Sequence, residues 1–267
     1  MLTVGIAGLG AIGLKLAQEL DKGVEGLRLV AVASRDAEKA RGAVAGFRTP
    51  PKVVDLAGLA AEADVVVEAA PAAVFEAIVG PAVAAGRIAI VSSVGALLPR
   101  MHLVDAARAS GGRIIVPTGA LLGLDAVRAA AEGNVESVTL VTRKPPRGLA
   151  GAPYLDQHHI DVTTITTPTK IFDGTAREGA AGFPANVNVA AALALAGIGP
   201  DRTRLEIWAD PTVTRNTHTV KVEADTVRLT MTIENVPSAE NPRTGRITPL
   251  SLLACLRGLT ATLKVGS

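Results

Sequence analysis

Several groups of residues in this chain have types and spacings that can do chemistry. The first is Gly8-Leu9-Gly10-Ala11-Ile12-Gly13, a Gly-x-Gly-x-x-Gly cluster that ends a short apolar run and opens a helical pattern. In that context it fits a dinucleotide. Gly8 permits the tight turn, Gly10 lets backbone approach a pyrophosphate, and Gly13 lets the helix pack on the strand. The N–H groups of the turn, through Ala11, Ile12 and Gly13, and the partial positive charge of the helix start then face the phosphates. The second group is Ala33-Ser34-Arg35-Asp36, at the end of the next apolar run. NAD-preferring chains usually place an acid there for the ribose diol. Here a hydroxyl and a guanidinium stand instead, and Asp36 reads as the cap of the following helix. Ser34 and Arg35 therefore predict that NADP is used at least as well as NAD.

Three polar clusters follow in the second half. Arg143-Lys144-Pro145-Pro146 is either a solvated strand end or a pair of cations for an anionic ligand. Phe183-Pro184-Ala185-Asn186-Val187-Asn188 sits at a helix start, where an Asn is either a cap or an amide that holds a ligand. Arg215-Asn216-Thr217-His218 runs into a strand, and alternation puts His218 on the face of Val220 and Val222. Such a histidine is a satisfied core residue or, with an ordinary pKa of about 6.5, a group that cycles a proton near neutrality.

The elements that must position these groups fall into two sets. Up to about residue 118, short apolar runs (Leu2–Ala7, Leu27–Ala33, 63–69, 87–91 and 113–116) alternate with helical stretches (36–45, 72–85, 98–110). That pattern predicts a parallel sheet covered by helices on both faces, with Pro81 interrupting its helix or splitting it in two. Ligands of such sheets lie beyond the carboxyl ends of the strands, which adds Ala70 to the cofactor candidates. Past Gly123, the stretches 135–142, 170–172, 204–208, 217–222 and 227–233 read as strands, and the last three alternate polar and apolar residues. Alternation implies one covered and one wetter face, hence a separate mixed or antiparallel sheet. A helix over 184–196 packs against it, and a closing helix over 249–259 returns to the first domain. The expected division is a dinucleotide-binding domain at 1–119, a substrate and dimerisation domain at 120–245, and the closing segment at 246–267. The fold class is α/β, a doubly wound Rossmann sheet followed by a second mixed-sheet α/β domain.

Composition narrows the function classes. Apolar residues make up 48% of the 267 positions but aromatics only 2%, so both cores must be built from Ala, Val, Leu and Ile. The net charge of +2, with no basic run, argues against nucleic acid. The longest apolar runs stop short of a membrane span, and the apolar start runs straight into the glycine turn without a basic leader. A cytoplasmic protein is expected. The one cysteine, Cys255, has no partner for an internal disulfide and reads as a small buried hydrophobe. His158 and His159 are adjacent, so their side chains diverge, and no metal site is expected.

Taken together, these motifs resemble the L-aspartate dehydrogenase family over essentially the whole chain. The residues that carry the resemblance are the glycine turn, Pro117-Thr118-Gly119-Ala120-Leu121-Leu122-Gly123-Leu124-Asp125-Ala126, and Thr142-Arg143-Lys144-Pro145-Pro146. Further on are Gly182 to Ala191, Asp210-Pro211-Thr212, Arg215-Asn216-Thr217-His218, and Glu234-Asn235-Val236-Pro237-Ser238 with Glu240-Asn241-Pro242. The resemblance implies oxidative deamination of L-aspartate with NAD or NADP to iminosuccinate, which hydrolyses to oxaloacetate and ammonia or feeds NAD biosynthesis. It implies His218 as the catalytic residue, and cofactor contacts at Gly119-Ala120 and at the Asn186/Asn188 pair. Arg143, Lys144, Arg215 and Asn216 are the candidates for the substrate carboxylates. A homodimer is expected. Rival readings keep the architecture, as a dihydrodipicolinate-reductase-like or homoserine-dehydrogenase-like reductase, or make the chain a dinucleotide sensor without catalysis.

Overall fold

The first strand is continuous and apolar because both of its faces are covered: Val4, Ile6 and Ala7 are fully buried. In the computed structural model, which describes residues 1–184, 187–238 and 245–266, it opens a regular alternation. β1 (Leu2–Ala7), α1 (Gly13–Lys22), β2 (Leu27–Ala33), α2 (Ala37–Val44), β3 (Lys52–Val54), α3 (Leu59–Glu62), β4 (Val65–Glu68), α4 (Phe75–Ala84), β5 (Ile88–Val91), α5 (Val94–Leu97), α6 (His102–Ser110) and β6 (Arg113–Ile115) follow in order. All six strands pair in parallel, in the order β3-β2-β1-β4-β5-β6. This is the Rossmann order, which reverses between β1 and β4 and so leaves a crevice at their carboxyl ends.

The second set comprises α7 (Leu124–Ala131), β7 (Val135–Lys144), α8 (Pro153–Gln157), β8 (Thr169–Thr175), α9 (Ala176–Gly182), α10 (Asn188–Ala196), β9 (Thr203–Ala209), β10 (Asn216–Ala224) and β11 (Arg228–Asn235), before the closing helix α11 (Ile247–Gly258). Its sheet is mixed, in the order β11-β10-β7-β9-β8, with β7 and β9 parallel and the other pairs antiparallel. β11 alternates as its sequence predicts: Leu229, Met231 and Ile233 are half-buried, and Arg228, Thr230, Thr232 and Glu234 are exposed. α10 is built from Ala190, Ala191, Ala192, Leu193 and Ala194, all buried, and small enough to pack closely on α7, α9 and β9.

The chain divides into two compact units, Met1–Pro117 with Thr248–Val265, and Thr118–Ile247. Leu252, Leu253 and Leu256 of α11 enter the same core as Val4, Ile6, Leu16, Val32 and Val67. Cys255 packs against that cluster, and burial pushes its thiol pKa up, as for a small apolar side chain.

Three local expectations are corrected. Pro81 neither ends nor splits α4, which runs through it; Phe75, Ile78, Val79, Ala82 and Val83 are all buried on this helix. Burying five such side chains outweighs the ~3 kcal/mol cost of an interior proline. The helix expected over 98–110 is broken instead: α5 ends at Leu97, a 3-10 turn holds Leu98–Arg100 around Pro99, and α6 starts at His102. α10 begins at Asn188 and not at Pro184, because Phe183 ends α9 and is anchored among Tyr154 and Phe172.

Candidate functional site

In the first unit, the chain leaves β1 through Gly8, whose φ of +90° suits glycine alone. A Cβ there would lie 2.5 Å from the Ala69 oxygen and 2.9 Å from the Ala70 Cα. At Gly13 a Cβ would overlap the Gly8 carbonyl oxygen. At Gly10 it would meet nothing within 4 Å, so this backbone faces open space. α1 starts with no acidic residue in its first turn and no side-chain cap, which leaves its first N–H groups available to an anion. The cradle therefore fits a dinucleotide pyrophosphate, with Ala11 and Ile12 between the two close approaches. Beyond β2, Ser34 is half-buried and Arg35 exposed. Asp36 accepts a hydrogen bond from the Lys39 N–H at 2.9 Å, so it caps α2 as its sequence position predicts.

In the second unit, strand register builds the site. β10 pairs His218 with Thr142, and Thr217 with Arg143, of β7. β9 pairs Trp208 with Arg143, and Ala209 with Lys144. His218 is only 3% exposed, and its Nδ1 lies 3.0 Å from the Thr142 Oγ1. Lys144, two residues beyond Thr142, and Asn216, two before His218, share that face by alternation, and both are buried. Burial, and secondarily the charge of Lys144, pushes the His218 pKa down to about 3, so the imidazole is neutral at neutral pH. Lys144 and Arg143 thus part company. Arg143 lies on the opposite face, with its guanidinium 4.5 Å over the Trp208 ring and 3.1 Å from Asp210 Oδ2. Burial alone would raise the Asp210 pKa, but the hydroxyl and N–H of Thr212 and the Arg143 guanidinium hold it below its ordinary value. Arg215 is exposed at the rim, 4.0 Å from Glu234.

Two model matches divide the chain. Residues 8–117 match the NAD-binding domain of homoserine dehydrogenase. Residues 125–259, more than half of the chain, match the C-terminal domain of aspartate dehydrogenase. An L-aspartate dehydrogenase of Bradyrhizobium diazoefficiens is 59% identical over all of this chain and 94% of its own length. L-aspartate dehydrogenase 3 of Bordetella bronchiseptica is 54% identical over all of this chain and 98% of its own. The chain belongs to the L-aspartate dehydrogenase family. The crystal structure of an aspartate dehydrogenase from Thermotoga maritima shares the fold, with a TM-score of 0.78 at 24% identity and full coverage of both chains.

This aspartate dehydrogenase relative is an oxidoreductase that uses NAD or NADP. The remaining candidates are placed as follows. Ala120 is half-buried, and its carbonyl accepts from Asn235 Nδ2 at 2.9 Å. Ala70 is half-buried after β4, and Asn188 is exposed at the first position of α10. Asn186 lies outside the described residues. His102 is on the surface beside Glu76, and His158 rests on the Tyr154 ring. Among the described residues no group of His, Cys, Asp or Glu is arranged to hold a metal ion, and no helix is long and apolar enough to cross a membrane.

Two buried polar residues, one in each unit, escaped the sequence reading. Asn235, within the Glu234–Ser238 motif, closes β11, and its Nδ2 donates to the Ala120 carbonyl 115 residues earlier in the chain, a contact that only the fold brings about. Glu68, the last residue of β4, was not among the candidates. An acid closing a strand that is otherwise Val-Val-Val was the available signal, because such an acid needs compensating donors.

Proposed function

We propose that this protein catalyses the NAD(P)-dependent oxidative deamination of L-aspartate to iminosuccinate, which hydrolyses to oxaloacetate and ammonia. The observation that carries the reading is a buried, neutral His218, held by Thr142 and flanked by Lys144 and Asn216 on one face of the second sheet. When bound, the nicotinamide supplies the redox chemistry as the acceptor of the hydrogen on the substrate Cα. With Nδ1–H donating to the Thr142 hydroxyl, Nε2 of His218 is free to take a proton from the substrate ammonium or from a water that relays it. An imidazole pushed down to about 3 is a weak base for that task. Two substrate carboxylates bring negative charge beside it, and that raises its pKa toward the useful range. Lys144 and Asn216 are the groups on this face suited to receive a carboxylate. Arg143 is committed to Asp210 and Trp208 on the other face and acts, in this reading, as a brace for the ends of β7 and β9. The family resemblance carries further cofactor contacts to Ala120 and the Asn186/Asn188 pair, and offers the imine to NAD biosynthesis. A cytoplasmic location accords with the single free thiol. The testing experiment is a screen of amino acids against both cofactors, read at the absorbance of reduced nicotinamide. L-Aspartate should give the highest kcat/KM; a preference for homoserine, or dinucleotide binding without turnover, overturns the assignment.

Cofactor choice is assigned to Ser34 and Arg35. Asp36 at the end of β2 is occupied as a cap, and Arg35 is exposed, which supports the reading that Arg35 pairs with a 2′-phosphate. Arg35→Ala should raise KM for NADP roughly ten- to hundredfold over any change for NAD, from the loss of one charge-assisted bond of ~1.5–3 kcal/mol. Equal effects on both cofactors would show that Arg35 does not read the phosphate.

We also propose a homodimer formed through the second sheet. On the face of β10 and β11 that carries Thr219, four threonines (Thr217, Thr219, Thr230 and Thr232) form an uncharged polar strip with Lys221, Glu223 and Arg228 towards one end and Glu234 at the other, and two-fold symmetric dimers are the commonest assembly. Light scattering at micromolar concentration should give about twice the 27.2 kDa chain mass; a monomer mass removes the proposal.

A further inference from the structure

Glu68, the last residue of β4, is fully buried and is reached by four neutral donors. Its Oε1 accepts from the Ala70 N–H at 3.1 Å and the Ser93 hydroxyl at 2.9 Å. Its Oε2 accepts from the Ser92 N–H at 3.1 Å and the Ser93 N–H at 2.9 Å. Each oxygen receives a backbone donor, an arrangement that suits an acceptor-only carboxylate. One side chain thereby ties together the turns that leave β4 and β5, two of the strand ends past which ligands of such a sheet lie. The Ala69–Ala70 backbone that it holds is the surface against which Gly8 is packed. Burial pushes the Glu68 pKa up while the bonds from Ser93, Ala70 and Ser92 oppose that shift. An acid kept at such a position at the cost of its hydration, when an apolar residue would fill the space, points to a task beyond filling it.

We propose that Glu68 is a positioning residue for the dinucleotide: by fixing the Ala69–Ala70 and Ser92–Ser93 turns, it sets the wall against which the Gly8 turn takes its binding conformation. This rests on the reading that the glycine turn binds the cofactor. Gln in its place has the same shape but only one acceptor oxygen. With the amide nitrogen at the Oε1 position, the Ala70 N–H faces a donor, while the Ser93 hydroxyl can turn to accept. With the nitrogen at the Oε2 position, the Ser93 N–H faces a donor, while the Ser92 N–H keeps its second bond to the Glu68 carbonyl. Either way one backbone N–H is stranded, and the turn loosens.

The test uses the whole 267-residue chain and titrates NADH and NADPH against the wild type, Glu68→Gln, and Ile78→Val, a core truncation in α4, outside the sequence of these turns. Glu68→Gln should weaken both dinucleotides about tenfold, while kcat at saturating cofactor stays within about threefold. Amide exchange at Ala70 or Ser93 should speed up in the same variant. Ser93→Ala should weaken binding less, and the double variant should lose less than the sum of the two single losses, since both changes act on one network. Glu68→Asp, which keeps the charge but withdraws it from the turns, should shift binding in the same direction and serves if the Gln variant does not fold. Wild-type affinity in Glu68→Gln, or an affinity loss matched by Ile78→Val at equal loss of stability, overturns the inference. A wild-type chain that binds neither dinucleotide overturns the underlying reading instead.

Discussion

His218→Ala should lower turnover by about two to four powers of ten, the usual range for the loss of a general acid–base group. Cofactor affinity should stay close to that of the wild type, because the glycine turn is built entirely within the first unit. The substitution leaves the Thr142 hydroxyl without its ring partner, so a stability loss of ~1–3 kcal/mol should accompany it. The pH dependence separates proton transfer from simple gripping. If neutral His218 accepts the proton, deamination falls as the imidazole is protonated; if an imidazolium grips a carboxylate, activity rises instead. A pKa pushed down to about 3 in the ligand-free chain favours the first course. The acid limb of kcat, which reports the substrate complex, should then lie at higher pH than the limb that the free enzyme contributes to kcat/KM. Stability offers an independent check. The unfolded chain binds the imidazole proton near pH 6.5 and the folded chain only near 3, so His218 makes folding less favourable as pH falls through that window. The Ala variant should lose that part of the slope. Near-full turnover with an unchanged pH profile would make His218 a packed core residue, and the proton acceptor would have to be sought at Lys144.

The second large effect lies in the glycine turn, where the three positions should fail in different ways. Gly13→Ala sets a Cβ onto the Gly8 carbonyl oxygen, a backbone atom that cannot turn aside. It should destabilise the protein by about 3 kcal/mol and abolish dinucleotide binding at ordinary concentrations. Gly8→Ala meets the backbone of Ala69 and Ala70 at a φ of +90°, and should be comparably damaging. Gly10→Ala is the informative case. Its Cβ meets no protein atom, so the unfolding midpoint should hardly move, and stability should stay within about 0.5 kcal/mol. Yet a methyl group would stand where the pyrophosphate must approach, and affinity should fall at least tenfold. Undiminished binding by Gly10→Ala, followed by fluorescence of the reduced cofactor, would move the phosphates away from this turn.

What could be read from the sequence was whatever depends on local pattern. β1, the glycine turn and α1 follow from an apolar run, three spaced glycines and a 3.6-residue period; β10 shows its inward face through His218, Val220 and Val222. The capping box that starts α9 was legible but unread: Thr175 and Glu178 exchange bonds of 3.1 and 2.7 Å in a Thr-x-x-Glu sequence. β3 escaped because three residues after two prolines, one exposed and two half-buried, leave no periodicity to detect. Pro81 misled because its cost is local while the burial that overrides it is tertiary. The division of labour between Arg143 and Lys144 needed the register of β7 against β9 and β10. Adjacent residues in a strand point to opposite faces, but only the pairing shows which face holds the imidazole. Glu68 and Asn235 belong to the same class, since their partners lie 25 and 115 residues away in the chain.

The closing helix has a consequence for how the protein is made. Leu252, Leu253 and Leu256 complete a core whose other walls, from Val4 to Ile90, are already synthesised by residue 117. Ribosomes add about 5–20 residues per second, so that core waits roughly 7–26 s for its last wall while the entire second unit emerges. During that interval the nascent first unit lacks Leu252, Leu253 and Leu256 and presents an uncovered part of its apolar core, the kind of surface that holdase chaperones engage. A gene fragment ending near residue 117 should therefore yield an aggregation-prone product, whereas one in which the α11 segment is fused ahead of Met1 through a flexible linker has every wall in place before the second unit appears.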